Sequence, residues 1–147
     1  MTLVKNKKAV LKYTPLEHFA AGIELSGQEV KALRAKQGSL EGARAVVRGG
    51  EAFITGMTIP PFQAANAAKN YNALRPRRLL LNKKEIAALA AAEAKKGLTI
   101  IPLEVYTAGR FVKARIAIVR GKGKADRRED LKQRDAAREA ERVLKNR

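Results

Sequence analysis

Lysine and arginine supply most of the chemistry available to this chain. There are 31 of them against 14 Asp and Glu, a formal net charge of +17 over 147 residues. They fall in groups. Lys31 and Arg34 stand three apart in SGQEVKALR. Arg75, Arg77 and Arg78 surround Pro76 just before Leu79-Leu80-Leu81. Lys113 and Arg115 stand two apart in RFVKARIAIV, and a last basic run begins at Arg120. Such groups hold phosphate. The guanidinium is a planar fork that meets phosphate oxygens two at a time, and the ammonium acts as a point charge. An excess of this size exceeds what solubility requires and points to an anionic polymer, nucleic acid before membrane.

Other chemistry is thinly supplied. Cysteine is absent and His18 is the single histidine, which excludes disulfides, thiolate metal sites and multi-histidine metal sites. His18 has no nucleophile or second histidine beside it. GKGK at 121–124 lacks the spacing and the following Ser/Thr of a nucleotide-binding loop. Asp126, Glu129 and Asp130 lie among arginines, which are expected to pair with them rather than leave them for a metal. A nuclease would need an acid–base pair, and none is apparent. We therefore expect no enzyme, no metal and no cofactor. Aromatic residues are 5% of the chain, so phosphate and shape recognition are expected ahead of base stacking. No apolar run is long enough for a membrane span, and MTLVKNKKAV lacks a signal-peptide core. The expectation is a cytoplasmic protein.

The elements that must position these cations follow from periodicity. Residues 1–9 read as a flexible basic arm. Phe19, Ala21, Ile23 and Leu25 alternate with polar or small residues, giving a strand that ends near Leu25. Ser26-Gly27-Gln28-Glu29 is a capping box, so a short helix runs to about Ala35. In it Val30 and Leu33 face inward, while Lys31 and Arg34 either grip phosphate or form a solvated face. ARAVVR and EAFITGMTI flank Gly49-Gly50 as a hairpin. Residues 62–74 read as a loop. Arg75–Arg78 then feed a short buried strand with cations at its mouth. Asn82 and Glu85 start a helix with Ile86, Leu89, Ala90 and Ala94 on its apolar stripe, ended by Gly97. LTIIPLEVY and RFVKARIAIV flank Thr107-Ala108-Gly109 as a second hairpin, with Pro102 at an edge or bulge. Its last strand puts Val112, Ala114, Ile116 and Ile118 on one face. Lys113 and Arg115 share the other, which makes a basic sheet surface.

The fold class this implies is α+β, mostly β: a small antiparallel oligonucleotide-binding-like barrel with flanking helices and a basic C-terminal tail. Residues 1–119 form the RNA-binding barrel domain and 120–147 the tail. The tail has strong helix formers but little apolar area to offset ordering entropy of about 1–2 kcal/mol per residue. Two readings stand: a segment that orders on an anionic partner, or a solvated charged helix or frayed end.

GIELSGQEVKALRAKQGSL, GEAFITGMTI, RPRRLLLNKKEI, GLTIIPLEVY and RGKGKADRREDLKQRDAAREAERVLK together resemble the SsrA-binding protein (small protein B) family of bacterial trans-translation. The segments span nearly the whole chain in family order. The resemblance implies an adaptor that binds the tRNA-like domain of tmRNA and acts on stalled ribosomes with elongation factor Tu and GTP. It also implies a tail, disordered alone and helical on the ribosome, that probes the empty mRNA channel beside small-subunit rRNA. By resemblance Leu80 and Lys113 match the tmRNA-contact positions, Leu80 as a buried contact or core residue rather than a charge grip. Lys31, Arg34, Arg75 and Arg77 match its basic positions, and Arg115 joins them from the sheet reading. In the tail Lys122, Lys124, Asp126, Arg127, Arg128 and Arg134 match the run used on the ribosome. Val143 and Leu144 match the apolar pair that docks the distal end. A monomer is expected. The chain departs from the family at Ala20, where a Glu is common, at Leu11, where a His is usual, and at Ala125, where His or Tyr is usual. The alternative is a basic ribosomal or ribosome-assembly protein that binds rRNA.

Overall fold

The computed structural model describes residues 1–63 and 71–121. Seven antiparallel strands form one sheet: β1 (Thr2–Lys5), β2 (Tyr13–Ile23), β3 (Arg44–Arg48), β4 (Glu51–Thr55), β5 (Arg77–Leu80), β6 (Leu98–Ala108) and β7 (Phe111–Gly121). Their order is β1-β6-β7-β2-β5-β4-β3. Three helices accompany them: α1 (Ala9–Lys12), α2 (Gly27–Arg34) and α3 (Lys83–Glu93). The sheet curls until β3 lies near β6, but these strands do not pair, so the barrel stays open. The mostly-β reading with flanking helices therefore holds.

Both hairpins form where their turns require. Gly49 and Gly50 take φ of 59° and 76°, the positive values a two-residue turn between twisted strands needs. β6 and β7 close through Gly109 and Arg110, with Ala108 opposite Phe111. Pro102 sits at a register shift in β6, which lies between β1 and β7 and is not an edge. Pro15 sits at a matching shift in β2. A bulge lets a residue without an N–H stay in a long strand. β7 continues two residues past Val119, to Gly121.

Both capping boxes are present. Ser26 and Glu29 exchange bonds at the start of α2, and Asn82 and Glu85 do so at α3. α2 ends with Lys36 at φ 61°, where Lys36 N–H reaches Leu33 C=O and Gln37 N–H reaches Ala32 C=O. That double bond closes the helix although lysine, not glycine, holds the left-handed position.

Four expectations change. Residues 1–9 are not a free arm, because β1 pairs with β6 and buries Leu3 and Val4. In α2 the inward residues are Glu29, Ala32 and Leu33, while Val30 is half-buried. In α3 they are Leu89 and Ala92. Ala90 and Ala94 are exposed, because the helix meets β3 and β6 on a face turned from the one expected. The predicted strand from Phe19 ends at Ile23, with Leu25 half-buried just beyond it.

The main core joins Phe19, Ala21 and Ile23 of β2, Leu33 of α2, Ile54 of β4, Leu79 of β5, Leu89 of α3 and Ile100 of β6. Ala114, Ile116 and Ile118 of β7 complete it, as the alternation predicts. Each large aliphatic chain buried there contributes about 1.5–3 kcal/mol. On the opposite face Ala117 and Val119 are also buried, with Ala9 of α1 and Ile101. Thus α1 covers one end of the outer face, and among the described residues no helix covers the other.

Candidate nucleic-acid interface

Strand register builds the open part of the outer face. Gly22 of β2 stands between Leu80 of β5 and Lys113 of β7, and Lys113 stands opposite Tyr106 of β6. The next row is Ala20, Arg115 and Glu104. These rows lie on one face because side chains two residues apart along a strand point the same way. Lys113 and Arg115 do share the surface that the alternation of β7 predicts.

The two cations are not equivalent. Arg115 Nη1 lies 3.3 Å from Glu104 Oε1, and its guanidinium carbon lies 5.6 Å from the Tyr106 ring centroid. Thr2 Oγ1 donates to the other Glu104 oxygen at 3.2 Å. Arg115 is thus paired with Glu104 and lies over the Tyr106 ring. Lys113 has no acidic partner among the described residues. Its ammonium is the charge on this face that no described carboxylate offsets. Ala20 is exposed beside Arg115, so the carboxylate facing that arginine comes from β6 and not from β2.

Lys31 and Arg34 are exposed on α2 and make no ion pair among the described residues. Arg75 is half-exposed, with Nη2 2.5 Å from Glu29 Oε1. Its charge is largely spent within the protein.

Arg77 is not a phosphate grip. Its side chain is fully buried. Nε donates to Glu29 Oε2 at 2.7 Å, Nη1 to Met57 C=O at 2.6 Å and Nη2 to Ala73 C=O at 3.0 Å. Leu80 corrects in the opposite sense, since it is 49% exposed and not buried. Both errors have one cause. The triplet Leu79-Leu80-Leu81 hides a two-residue period: Arg77 and Leu79 point in, Arg78 and Leu80 point out. The outward Arg78 lies 3.3 Å from Glu51 and 3.7 Å from Glu24.

Glu29, the acid of the α2 capping box, is the residue that sequence reasoning left without its main role. It is 2% exposed and accepts from Arg75, Arg77 and the Ser26 N–H. Burial pushes its carboxyl up. The hydrogen bonds from Arg75, Ser26 and Arg77, with the Arg77 charge, outweigh that and hold it below its ordinary value. The signal was present: Glu29 stands three and four residues before Ala32 and Leu33, on their face.

His18 is exposed on β2. Among the described residues no group of three or more His, Cys, Asp or Glu could hold a metal ion. No helix among them is long and apolar enough to cross a membrane. Lys122, Lys124, Asp126, Arg127, Arg128, Arg134, Val143 and Leu144 lie outside the described residues, as does Ala125.

Among the described residues the site therefore presents a sheet face with Lys113 unpaired and Arg115 tethered, beside a helix whose Lys31 and Arg34 make no ion pair. The sequence model of the SmpB protein family matches residues 3–146. An SsrA-binding protein of Gloeobacter violaceus is 43% identical over 143 residues, covering 97% of this chain and 93% of its own. One of Lactiplantibacillus plantarum is 42% identical over 144 residues, covering 98% and 92%. A solved chain from work described as "tmRNA-SmpB: a journey to the center of the bacterial ribosome" is 36% identical with a TM-score of 0.69, covering 82% of this chain and 84% of its own.

Proposed function

The chain belongs to the SmpB family, and from that membership we propose that it is an RNA-binding adaptor which binds tmRNA and brings it to stalled ribosomes. The observation that carries this reading is the extent of the family match, which runs through the barrel and on through the basic C-terminal run. Residues 1–119 bind the tRNA-like domain. Residues 120–147 address the ribosome, probing the mRNA channel beside small-subunit rRNA when it is empty of message. On the barrel we assign RNA contact to Lys31, Arg34, Leu80, Lys113 and Arg115, with Arg75 a lesser one. Arg77 has a structural part. Lys122, Lys124, Arg127, Arg128 and Arg134 supply the tail's cations, and Val143 with Leu144 its apolar pair.

The adaptor works without catalysis, as a cytoplasmic monomer, and elongation factor Tu with GTP joins it through the alanylated tmRNA. The chemistry fits. Phosphate contacts each add a share of affinity and make binding salt-dependent. Shape recognition of folded RNA needs an open surface more than a deep pocket. The family's common acid at position 20 is Ala20 here, and the Arg115–Glu104 pair puts a carboxylate one strand pair away, on the other side of Arg115.

The test is binding of the full chain to the tRNA-like domain of tmRNA, against an ordinary tRNA and a ribosomal RNA hairpin, at low and physiological salt. A preference for the tmRNA domain that survives physiological salt supports the adaptor. Equal binding to all three that vanishes with salt overturns it and favours a basic rRNA-binding protein.

A further inference from the structure

β1 is the first strand of the sheet and has no paired neighbour on its far side. In an antiparallel ladder, alternate residues turn their main chain towards the partner and away from it. Asn6 N–H donates to Leu103 C=O, and Thr107 N–H donates to Met1 C=O. The residues beside them, Lys5 and Thr2, therefore turn their main chain away from β6. Lys36 Nζ donates to the outward Thr2 C=O at 3.3 Å, from an exposed side chain. A groove of about 360 Å³ runs along this edge, between β1 and residues 38–41. Lys5, Lys7 and Lys8 line it, and no aromatic ring does among the described residues. Lys8 meets Glu41 at 2.5 Å, whereas Lys5 and Lys7 make no ion pair among the described residues.

We propose that this edge takes up an extended acidic peptide segment of a partner protein as a further strand, paired to the main chain of Thr2 and Lys5 and held by Lys5, Lys7 and Lys36. The inference goes beyond the adaptor reading and does not depend on it. Three features select this occupant. An unpaired strand edge offers N–H and C=O groups at the spacing another strand requires, and added strands are a common mode of peptide recognition. The groove lies within the roughly 300–1,000 Å³ of ligand pockets but has no ring on which a nucleobase could stack. Charge supplies the third. A second copy of this chain would bring the same lysines to the edge and be repelled, whereas an acidic strand is drawn in. Lys36 gives the edge a guard that such a strand removes. The incoming carboxylate takes the ammonium, and the incoming N–H takes the Thr2 C=O that the ammonium leaves.

The experiment titrates the full-length chain with a fluorescein-labelled ten-residue peptide of alternating Glu and Val. Anisotropy reports binding, and amide exchange followed by NMR reports which residues of β1 become protected. We expect saturable binding with protection of the Lys5 amide. The same peptide N-methylated at every second residue keeps its charge but cannot pair, and is expected to bind about 10-fold more weakly or worse. Lys5→Ala removes one exposed charge and weakens binding about twofold. Lys5→Pro also removes the outward N–H and weakens it a further 5- to 10-fold or so. That N–H is not part of the ladder to β6, so the urea midpoint is expected to stay. Should Lys5→Pro unfold the chain, the N-methylated peptide still decides the question. No binding of the peptide, or equal binding of its methylated form, overturns strand addition, the second outcome leaving charge attraction alone. A uridine ten-mer that displaces the peptide and protects the Lys5 amide assigns the edge to RNA and overturns it. Protection of that amide on concentrating the protein by itself assigns the edge to a second copy and overturns it too.

Discussion

Arg77 Nε donates to Glu29 Oε2 at 2.7 Å, and neither side chain meets solvent beyond 2% of its surface. The pair ties α2 to β5, while the remaining Arg77 donors tie both to the chain at Met57 and Ala73. Two basic-looking motifs, GQEVKALR and RPRR, thus meet inside the protein. Of their outer residues, Arg75 and Arg78 face carboxylates, while Lys31 and Arg34 are exposed without an ion pair among the described residues.

Breaking that pair from one side strands a buried charge. Arg77→Met is expected to destabilise the fold by about 3–5 kcal/mol, read from the urea midpoint. Replacing both partners, Glu29→Leu with Arg77→Met, is expected to recover much of the loss. A single-variant cost under about 1 kcal/mol would mean the pair is not holding α2 in place.

The same carboxylate gives a pH dependence. Its folded-state pKa lies below its ordinary 4.5, so between the two values the unfolded chain binds a proton that the folded chain does not. Stability from this group is fully present above 4.5 and is lost as pH falls through the folded value. Urea midpoints measured from pH 7 down to 3 are expected to fall less steeply for Glu29→Gln than for the parent. Identical acid limbs would show that Glu29 is not held down by its arginines.

Charge changes on the outer face are expected to act on RNA binding and not on folding. Lys113→Ala is expected to weaken RNA binding and lower its salt slope by about one unit, with the urea midpoint unchanged. Arg115→Ala is expected to lower the slope by less, because Glu104 already faces that guanidinium at 3.3 Å. Equal slopes for the two variants would place the two cations on an equal footing towards phosphate.

Truncation separates the two parts of the chain. A protein ending at Lys124 is expected to bind the tRNA-like domain nearly as tightly as the full chain and to support no tagging on stalled ribosomes in a reconstituted translation assay. Loss of tmRNA binding on truncation would end the proposed division of labour.

Capping supplies a local check. Ser26→Ala removes the acceptor for the Glu29 N–H, a 3.2 Å bond. It is expected to cost about 1 kcal/mol in thermal or urea unfolding. A larger loss would show that Ser26 also steers the Glu29 carboxylate towards its arginines.

The sequence by itself determined a good deal. Local rules act over a few residues and are visible as spacing: the Ser26–Glu29 and Asn82–Glu85 caps, the Gly49-Gly50 turn, the Pro102 bulge and the two faces of β7. The family resemblance likewise rested on contiguous motifs. Only the tertiary structure decided which charges remain free. Arg77 and Lys113 look alike in a string of letters. One is neutralised by Glu29, 48 residues away, and the other has no acid within reach among the described residues. Strand register, set by long-range pairing, brought Leu80 beside the outer face of β7 and gave Arg115 a carboxylate from β6. It also turned an apparent N-terminal arm into β1, because an edge of β6 was open to pair with it. A charge is worth what its surroundings leave unpaired and hydrated, and those surroundings come from segments far apart in the chain.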